Sequence, residues 1–305
     1  MIARLKGSAI LAVPLSPSII ETRSTALPFA ALITGSACLA FGPMLVRLSD
    51  VSAVSSAFWR MGLALPVLTL VALAARRREV APLALKALPW GLTLAAGAMF
   101  AADLAMWHMG IHRTTVANAT LFGNGAAFML AGWAMLAGWE RPERAKLAAL
   151  GMALAGTLLL LGASAELSPR HLMGDLLCLL AAAFYAGYLI VVMRLRGRLS
   201  TATLLAMSTA FSALILLPVA ILGPGGFWPG DWRPLLALAV TSQLVGQGLL
   251  VFATGSLPAA VIGVGLLVQP LLAAIIGWLV FGETMGPLEL LGAAIICAAL
   301  VLVRR

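Results

Sequence analysis

The sequence predicts an all-α polytopic membrane protein with ten transmembrane helices, arranged as two inverted five-helix repeats. Three observations support this prediction. The chain is 62% hydrophobic and only 10% charged, with a mean hydropathy of +1.05, whereas soluble domains average about 25% charged residues. The charges cluster between apolar runs of about 20 residues, the length at which a helix crosses a ~30 Å hydrocarbon core. A hairpin near the middle of the chain recurs at its end.

Ten apolar runs follow a short polar tail, residues 1–27, which is expected to be cytoplasmic because its apolar part is too short to cross a membrane. Barrel strands would be about 10 residues long with strict alternation, whereas these runs are longer and uniformly apolar. Helices are expected because they satisfy their own backbone hydrogen bonds in lipid. In chain order, the predicted spans 1 to 10 cover residues 28–46, 51–74, 88–110, 114–137, 145–162, 174–193, 202–222, 234–254, 258–281 and 287–303.

Two similar hairpins indicate that the chain consists of two halves. Between spans 4 and 5, and again between spans 9 and 10, a glutamate ends the first run, a proline follows, and a Leu-Gly pair lies near the start of the next run; the glutamates are Glu140 and Glu283. The sequence therefore predicts one five-helix repeat over residues 28–162 and a second over residues 174–303. An odd number of crossings gives the second repeat the opposite orientation, so the repeats are inverted.

The basic residues determine the predicted orientation. If the N-terminus is cytoplasmic, fifteen Lys and Arg residues lie in the cytoplasmic segments and four in the outer ones. Cytoplasmic loops of membrane proteins carry such an excess, so both termini are predicted to be cytoplasmic in a bacterial inner membrane. The net charge of +9 is accordingly interpreted as a topological signal, and no nucleic-acid partner is expected.

Inverted repeats around a central site are typical of secondary transporters, which bind their substrate near the bilayer midplane. Other functional classes lack sequence support. The chain has no G-x-x-x-x-G-K-[ST] loop for ATP and no H-E-x-x-H or G-x-S-x-G motif. Cys38, Cys178 and Cys297 lie inside apolar runs without metal-ligand spacing. No cofactor or metal is expected, and an intramembrane enzyme stays the alternative from another class.

Short motifs resemble those of a known transporter family. The hairpin residues Gly282-Glu283 and Gly292-Ala293, with Pro270 in span 9 and Arg60 in span 2, resemble the EamA branch of the drug/metabolite transporter superfamily. Trp139 departs from the pattern, where the family has glycine. The resemblance covers residues 28–303 and is greatest to the YddG-type amino-acid exporters. It implies export of amino acids, aromatic and other neutral ones included, or of related small metabolites, with drugs as an alternative substrate class.

Three of the ionisable side chains in the predicted spans are candidates for a functional role, because a charge in the membrane must face a cavity or a partner: its insertion costs roughly 2.5–3.5 kcal/mol. Asp103 in span 3 is a candidate for binding a substrate amino group or carrying a proton, and the alternative is a bond to a neighbouring helix. His108 is expected near the outer headgroups and is a second candidate for proton coupling. Arg60 could pair with Asp103 or attract a substrate carboxylate. The favoured role is structural, with its guanidinium group hydrogen-bonded to backbone carbonyls.

Amide side chains at similar depth are candidates for a central site. Asn124 in span 4, Gln247 in span 8 and Gln269 in span 9 could line a cavity or join helices by hydrogen bonds. Pro270 frees a backbone carbonyl and is expected to kink span 9, and Pro43 gives span 1 a flexible point. The predicted lining of the cavity comes from spans 1, 3, 4, 6, 8 and 9, with spans 5 and 10 peripheral.

Aromatic residues complete the candidate site. Tyr185 and Tyr188 in span 6 and Trp107 in span 3 could contact the substrate, and core packing is the alternative for the two tyrosines. Glu140 and Glu283 are instead assigned to capping the helices that follow them, because they are predicted to lie at opposite membrane faces. The expected partners are a small solute and the lipid bilayer; the oligomeric state is left open, a monomer included.

Overall fold

The computed structural model describes residues 25–78, 85–162, 168–272, 275 and 286–303. All regular secondary structure in these ranges is helical. Within the described residues, seven helical segments are long and apolar enough to cross a membrane, and three further helices occupy the positions of predicted spans 5, 9 and 10. The prediction of an all-α polytopic membrane protein is therefore confirmed.

The observed helices follow the predicted spans to within a few residues. Ser200 and Thr115 begin spans 7 and 4 as N-caps, because each side chain accepts the backbone N–H three residues further on. Residues 273–274 and 276–281 of predicted span 9, and Glu283 after it, lie outside the described residues. The helices of spans 1 to 10 are, in order, Ala26–Leu39 with Gly42–Leu48; Ala53–Arg78; Trp90–Ile111, preceded by a 3₁₀ turn at Leu85–Ala87; Val116–Gly123 with Gly125–Leu136; Arg144–Gly162; Leu172–Leu195; Thr201–Leu222; Arg233–Leu238, Ala239–Gly246 and Gln247–Ala253; Ala259–Leu266, extending to Leu272; and Pro287–Leu302.

The packing of the spans has an internal symmetry. Spans 3 and 6, spans 2 and 7, and spans 5 and 10 form the most extensive helix–helix contacts, and span 1 packs against span 8. If spans 1 to 5 correspond to spans 6 to 10, the pair 3–6 corresponds to the pair 8–1. The pairs 2–7 and 5–10 each correspond to themselves. Two related five-helix units around a pseudo-two-fold axis would produce this pattern, and the repeats themselves stay a prediction.

Spans 5 and 10 meet at two glycines. A Cβ atom at Gly156 would lie 2.8 Å from the carbonyl oxygen of Gly292, and a Cβ atom at Gly292 would lie 2.6 Å from the carbonyl oxygen of Gly156. Helices in lipid gain no hydrophobic driving force from each other, so small residues that allow close backbone approach hold them together. Leucines on the other faces of this pair are exposed, among them Leu154, Leu158 and Leu291. The pair therefore has an outer, lipid-facing position.

Four spans are irregular near mid-membrane. Turns interrupt span 1 at Ala40–Phe41, span 4 at Asn124 and span 9 at Leu267, and span 8 contains a π-helix over Ala239–Gly246. Span 9 is interrupted three residues before Pro270, which cannot donate a backbone hydrogen bond to that turn. Non-helical backbone at membrane depth is tolerated only where it is buried in protein or lines a cavity. The interruptions therefore direct attention to the space between these spans.

Candidate substrate cavity

An open cavity lies between the interrupted spans, with about 800 Å³ of empty space that includes its opening to solvent. Spans 1, 3, 4, 6, 8 and 9 contribute to its wall, and so does span 2, which sequence analysis did not place there. Span 2 contributes Arg60. The remaining lining residues include Leu39, Ala40, Pro43, Phe100, Leu104, Ala119, Thr120, Gly123, Ala126, Ala127, Ala182 and Leu266.

Six of the seven residues that the sequence proposes for substrate contact line this one cavity, and their part in binding stays a prediction. They are Asp103, Trp107, Asn124, Tyr185, Gln247 and Gln269. The seventh, Tyr188, is fully buried behind the wall. Its ring stacks on Phe100 with a centroid distance of 4.5 Å, and Tyr185 lies 5.9 Å from it. Of the two tyrosines, Tyr185 reaches the cavity and Tyr188 supports it.

Arg60 and Asp103 bring opposite charges to the same cavity wall. They are 4% and 9% exposed. The Arg60 guanidinium lies over the Phe100 ring, 5.8 Å from its centroid, and its Nε has no hydrogen-bond partner in the described part of the chain. The sequence assigns Arg60 to a structural role on backbone carbonyls; within the described residues its neighbours are instead the aromatic ring and the cavity.

Tyr185 and Gln247 form a polar pair across spans 6 and 8. The Tyr185 hydroxyl donates to Gln247 Oε1 at 3.2 Å, which leaves the buried Gln247 Nε2 without a partner among the described residues. Gln247 directly follows the π-helix, a feature often found at functional sites. Gln243, one turn earlier, has a different environment, because its Nε2 donates to Thr209 of span 7 at 2.9 Å. Gln243 joins two helices, whereas Gln247 faces the cavity.

Asn124 and Trp107 occupy the interruptions of spans 4 and 1. The Asn124 side chain donates to the Thr120 carbonyl at 2.7 Å, inside the turn that separates the two helices of span 4. A Cβ atom at Gly42 would lie 3.1 Å from Trp107 Cη2, and one at Gly123 would lie 3.4 Å from Trp107 Nε1. The indole is therefore packed between two glycines at the ends of broken helices, more tightly at Gly42 than at Gly123.

His108 is fully buried in the helix packing. Its Nδ1 lies 2.7 Å from Ser56 Oγ of span 2, which gives the ring a polar partner. Its depth near the outer headgroups stays a prediction. His108 is absent from the cavity lining, and its part in proton coupling stays untested.

Glu140 caps a helix, but not the helix that follows it. Its Oε1 accepts hydrogen bonds from the backbone N–H groups of Ala259 and Ala260 at the start of span 9, whereas span 5 begins at Arg144. The orphan N–H groups of span 9 need an acceptor because Pro258, its N-cap, offers no side-chain oxygen. The carboxylate therefore connects the two halves of the chain. Glu283, its counterpart, lies outside the described residues.

Spans 4 and 9 cross at the Glu140 end of the cavity, and we interpret this crossing as its closed side. Ala126, Ala127 and Leu266 line the cavity there and are almost fully buried. A Cβ atom at Gly263 would lie 2.6 Å from the Ala127 carbonyl oxygen, so the two backbones touch. This crossing is the floor of the cavity.

Asp175 is a buried acid that sequence analysis did not single out. It lies in the first turn of span 6 and accepts hydrogen bonds from Thr114 Oγ1 at 2.6 Å and from Asn118 Nδ2 at 2.9 Å. An acid in a first helical turn is the sequence signal that could have identified it. It fastens span 6 to span 4 and does not line the cavity. Within the described ranges, no group of three or more His, Cys, Asp or Glu could hold a metal ion.

Comparisons with known proteins agree with this architecture. Residues 172–305 match the EamA-like transporter family. Over 150 residues the chain is 33% identical to the threonine/homoserine exporter RhtA of Escherichia coli K12. This match covers 48% of this chain and 50% of RhtA, so the chain spans about half the length of that relative. Over 227 residues it is 28% identical to the uncharacterized transporter YwfM of Bacillus subtilis, covering 70% of this chain and 73% of YwfM. A solved crystal structure has the same fold, with a TM-score of 0.75 at 20% identity over 92% of this chain and 97% of that one.

Proposed function

We propose, from the match of residues 172–305 to the EamA-like transporter family, that this chain is a secondary transporter that exports neutral amino acids across the bacterial inner membrane. The relative RhtA exports threonine and homoserine, which are small, neutral and hydroxyl-bearing. We extend that substrate class to this chain, with the bilayer and a small solute as its partners.

The observation that carries the proposal is the charge balance of the cavity. Among the described lining residues, Arg60 and Asp103 are the only charged side chains, and the other polar groups are amides, hydroxyls and an indole. A zwitterionic amino acid matches one positive and one negative group. A phosphorylated solute would need several Arg or Lys residues to balance its charge.

Alternating access is the proposed mechanism. The cavity is closed on the Glu140 side by the crossing of spans 4 and 9, and in the predicted orientation that side is cytoplasmic. Transport then requires spans 4 and 9 to separate there and close on the opposite side, as repeats rock around a fixed site. The interruptions at Asn124 and Leu267 give both spans a point at which to bend.

Aromatic amino acids are a second candidate substrate class. Phe100, Trp107 and Tyr185 lie on one wall of the cavity, and the Phe100 and Tyr185 rings are 6.2 Å apart. An aromatic substrate ring could stack on these side chains in an offset or edge-to-face arrangement. Threonine and homoserine would use the polar wall instead.

A liposome assay tests the proposal. Purified protein is reconstituted, and uptake of labelled threonine, homoserine, phenylalanine and tryptophan is compared with uptake into protein-free liposomes and with uptake of a sugar phosphate. The proposal predicts transport of at least one amino acid and none of the phosphate ester. Transport of the phosphate ester alone would contradict it. Imposing a pH gradient of either sign then separates proton-coupled export from facilitated export.

A further inference from the structure

Two buried hydrogen-bond donors at the cavity wall form no hydrogen bond to any other described residue. Gln247 is fully buried; its Oε1 accepts from Tyr185, and its Nε2 has no acceptor within 3.5 Å in the described part of the chain, although the Tyr188 hydroxyl is also close to this amide. Arg60 Nε is also buried and has no hydrogen-bond partner among the described residues. Buried polar groups are nearly always hydrogen-bonded, and an unmade bond is more costly for a charged group. Both residues also line the cavity, so a solute that enters it can offer them an acceptor.

The same cavity contains an acceptor to which no described residue donates. Asp103 lines the wall, and among the described residues no group donates a hydrogen bond to its carboxylate or forms an ion pair with it within 4.0 Å. An ionised carboxylate can only accept hydrogen bonds, and charged groups at membrane depth usually pair with a partner. The Asp103 carboxylate and the Arg60 guanidinium therefore line the same cavity without forming an ion pair with each other, and each can bind a charged group of a solute.

We infer that Asp103, Arg60 and Gln247 form a binding site for the zwitterionic head group of an α-amino acid. This inference rests on the proposed function and names the substrate groups that the cavity recognises. The substrate ammonium, with three N–H donors, binds Asp103. The substrate carboxylate binds Arg60 and the Gln247 amide. Molecules that lack either charge leave one of these buried groups unpaired and are rejected.

Two aromatic residues position the site without requiring contact with the substrate head group. Tyr185 holds the Gln247 amide with its oxygen turned away from the carboxylate position, and Phe100 lies beside the Arg60 guanidinium. The substrate side chain is then left for the rest of the wall, where Asn124 and Gln269 are polar and Trp107 is aromatic. Selection of the head group and selection of the side chain are therefore separate properties of the cavity.

Gln243 supplies a matched control within the same helix. It is one turn from Gln247 and equally buried, but its Nε2 is already bonded to Thr209, and it does not line the cavity. A general effect of removing an amide from span 8 should therefore appear in Gln243→Leu as well as in Gln247→Leu. An effect on carboxylate recognition should appear only in Gln247→Leu.

The test measures competition for threonine uptake in proteoliposomes by threonine methyl ester, which lacks the carboxylate, and by N-acetylthreonine, which lacks the ammonium. In the wild-type protein both compounds should compete at least about tenfold less well than threonine, because each loses a charge-assisted contact. Asp103→Asn should raise the KM for threonine and remove the discrimination against N-acetylthreonine alone. Gln247→Leu should weaken the discrimination against the ester alone, and Gln243→Leu should change neither ratio.

Two outcomes overturn the inference and are distinguishable from failure of the proposed function. If the wild-type protein transports threonine but both derivatives compete as well as threonine does, the head-group site is wrong and amino-acid transport stands. If Asp103→Asn folds and keeps the full discrimination, Asp103 is not the ammonium site. If Asp103→Asn does not elute as a folded protein, Asp103→Glu keeps the carboxylate and should retain discrimination, while Arg60→Lys should weaken discrimination against the ester. Absence of transport of any amino acid instead contradicts the proposed function itself.

Discussion

Glu140 offers a direct way to perturb the closed side of the cavity. Its carboxylate caps the start of span 9 by accepting from Ala259 and Ala260, so Glu140→Ala removes a contact between the two halves of the chain. Loss of an N-cap costs about 0.5–2 kcal/mol, and loss of a negative charge at a helix N-terminus about 0.3–1 kcal/mol. If this cap is present only while spans 4 and 9 are crossed, its loss of ~1–2 kcal/mol raises the population open on that side by about 5- to 30-fold.

A thiol-labelling assay measures that population. Leu266 lines the floor and is almost fully buried, so a cysteine there reacts with a membrane-impermeant maleimide, added on the Glu140 side, only when spans 4 and 9 separate. The three native cysteines are first replaced. Glu140→Ala should increase the labelling rate by the factor derived above.

Lys146 provides the control for this experiment. Its Nζ lies 4.0 Å from Glu140 and 3.2 Å from Glu143, and partly exposed ion pairs of this kind contribute about 0–1 kcal/mol. Lys146→Met should therefore label at nearly the parent rate. If Glu140→Ala, eluting as a folded protein, also labels at the parent rate, the reasoning that the cap holds this side closed is refuted.

Three further predictions concern the packing and the cavity wall. Gly156→Leu should lower the thermal unfolding temperature, because the added side chain meets span 10 and overpacking costs about 1–3 kcal/mol. Gly151→Ala is the control and should leave the unfolding temperature unchanged, because a Cβ atom there has open space. Equal unfolding temperatures of the two variants would refute the close contact. Tyr185→Phe should raise the KM for threonine several-fold, because a lost hydrogen bond of about 0.5–1.5 kcal/mol no longer orients the amide; an unchanged KM would remove this positioning role. His108→Gln should reduce stability and leave any pH-gradient dependence intact, whereas Asp103→Asn should abolish that dependence; the reverse result would make His108 the proton carrier.

The architecture was predictable from local properties of the sequence. Runs of about 20 apolar residues can only be membrane helices. The depth of Asn124, Gln247 and Gln269 along their helices follows from counting residues at a 1.5 Å rise, which is why the sequence could group these three amides, and all three line the cavity.

Side-chain direction and long-range partners were not predictable in this way. Tyr185 and Tyr188 are three residues apart and have equal polarity, and only the packing of Phe100 decides which of them reaches the cavity. Glu140 was assigned to the next helix because a sequence shows neighbours along the chain, whereas its partner is 119 residues away. Ser56 was not identified as the partner of His108, because nothing local in the sequence connects these two residues.

Transport through this cavity is the central claim, and filling the cavity tests it most directly. Thr120 lines the wall, and Thr120→Trp would place an indole in the space; Leu214→Trp changes an exposed, lipid-facing position and serves as the control. In proteoliposomes preloaded with threonine, counterflow of labelled threonine should persist in Leu214→Trp and be lost in a folded Thr120→Trp. Equal counterflow in both variants would show that the substrate does not pass through this cavity.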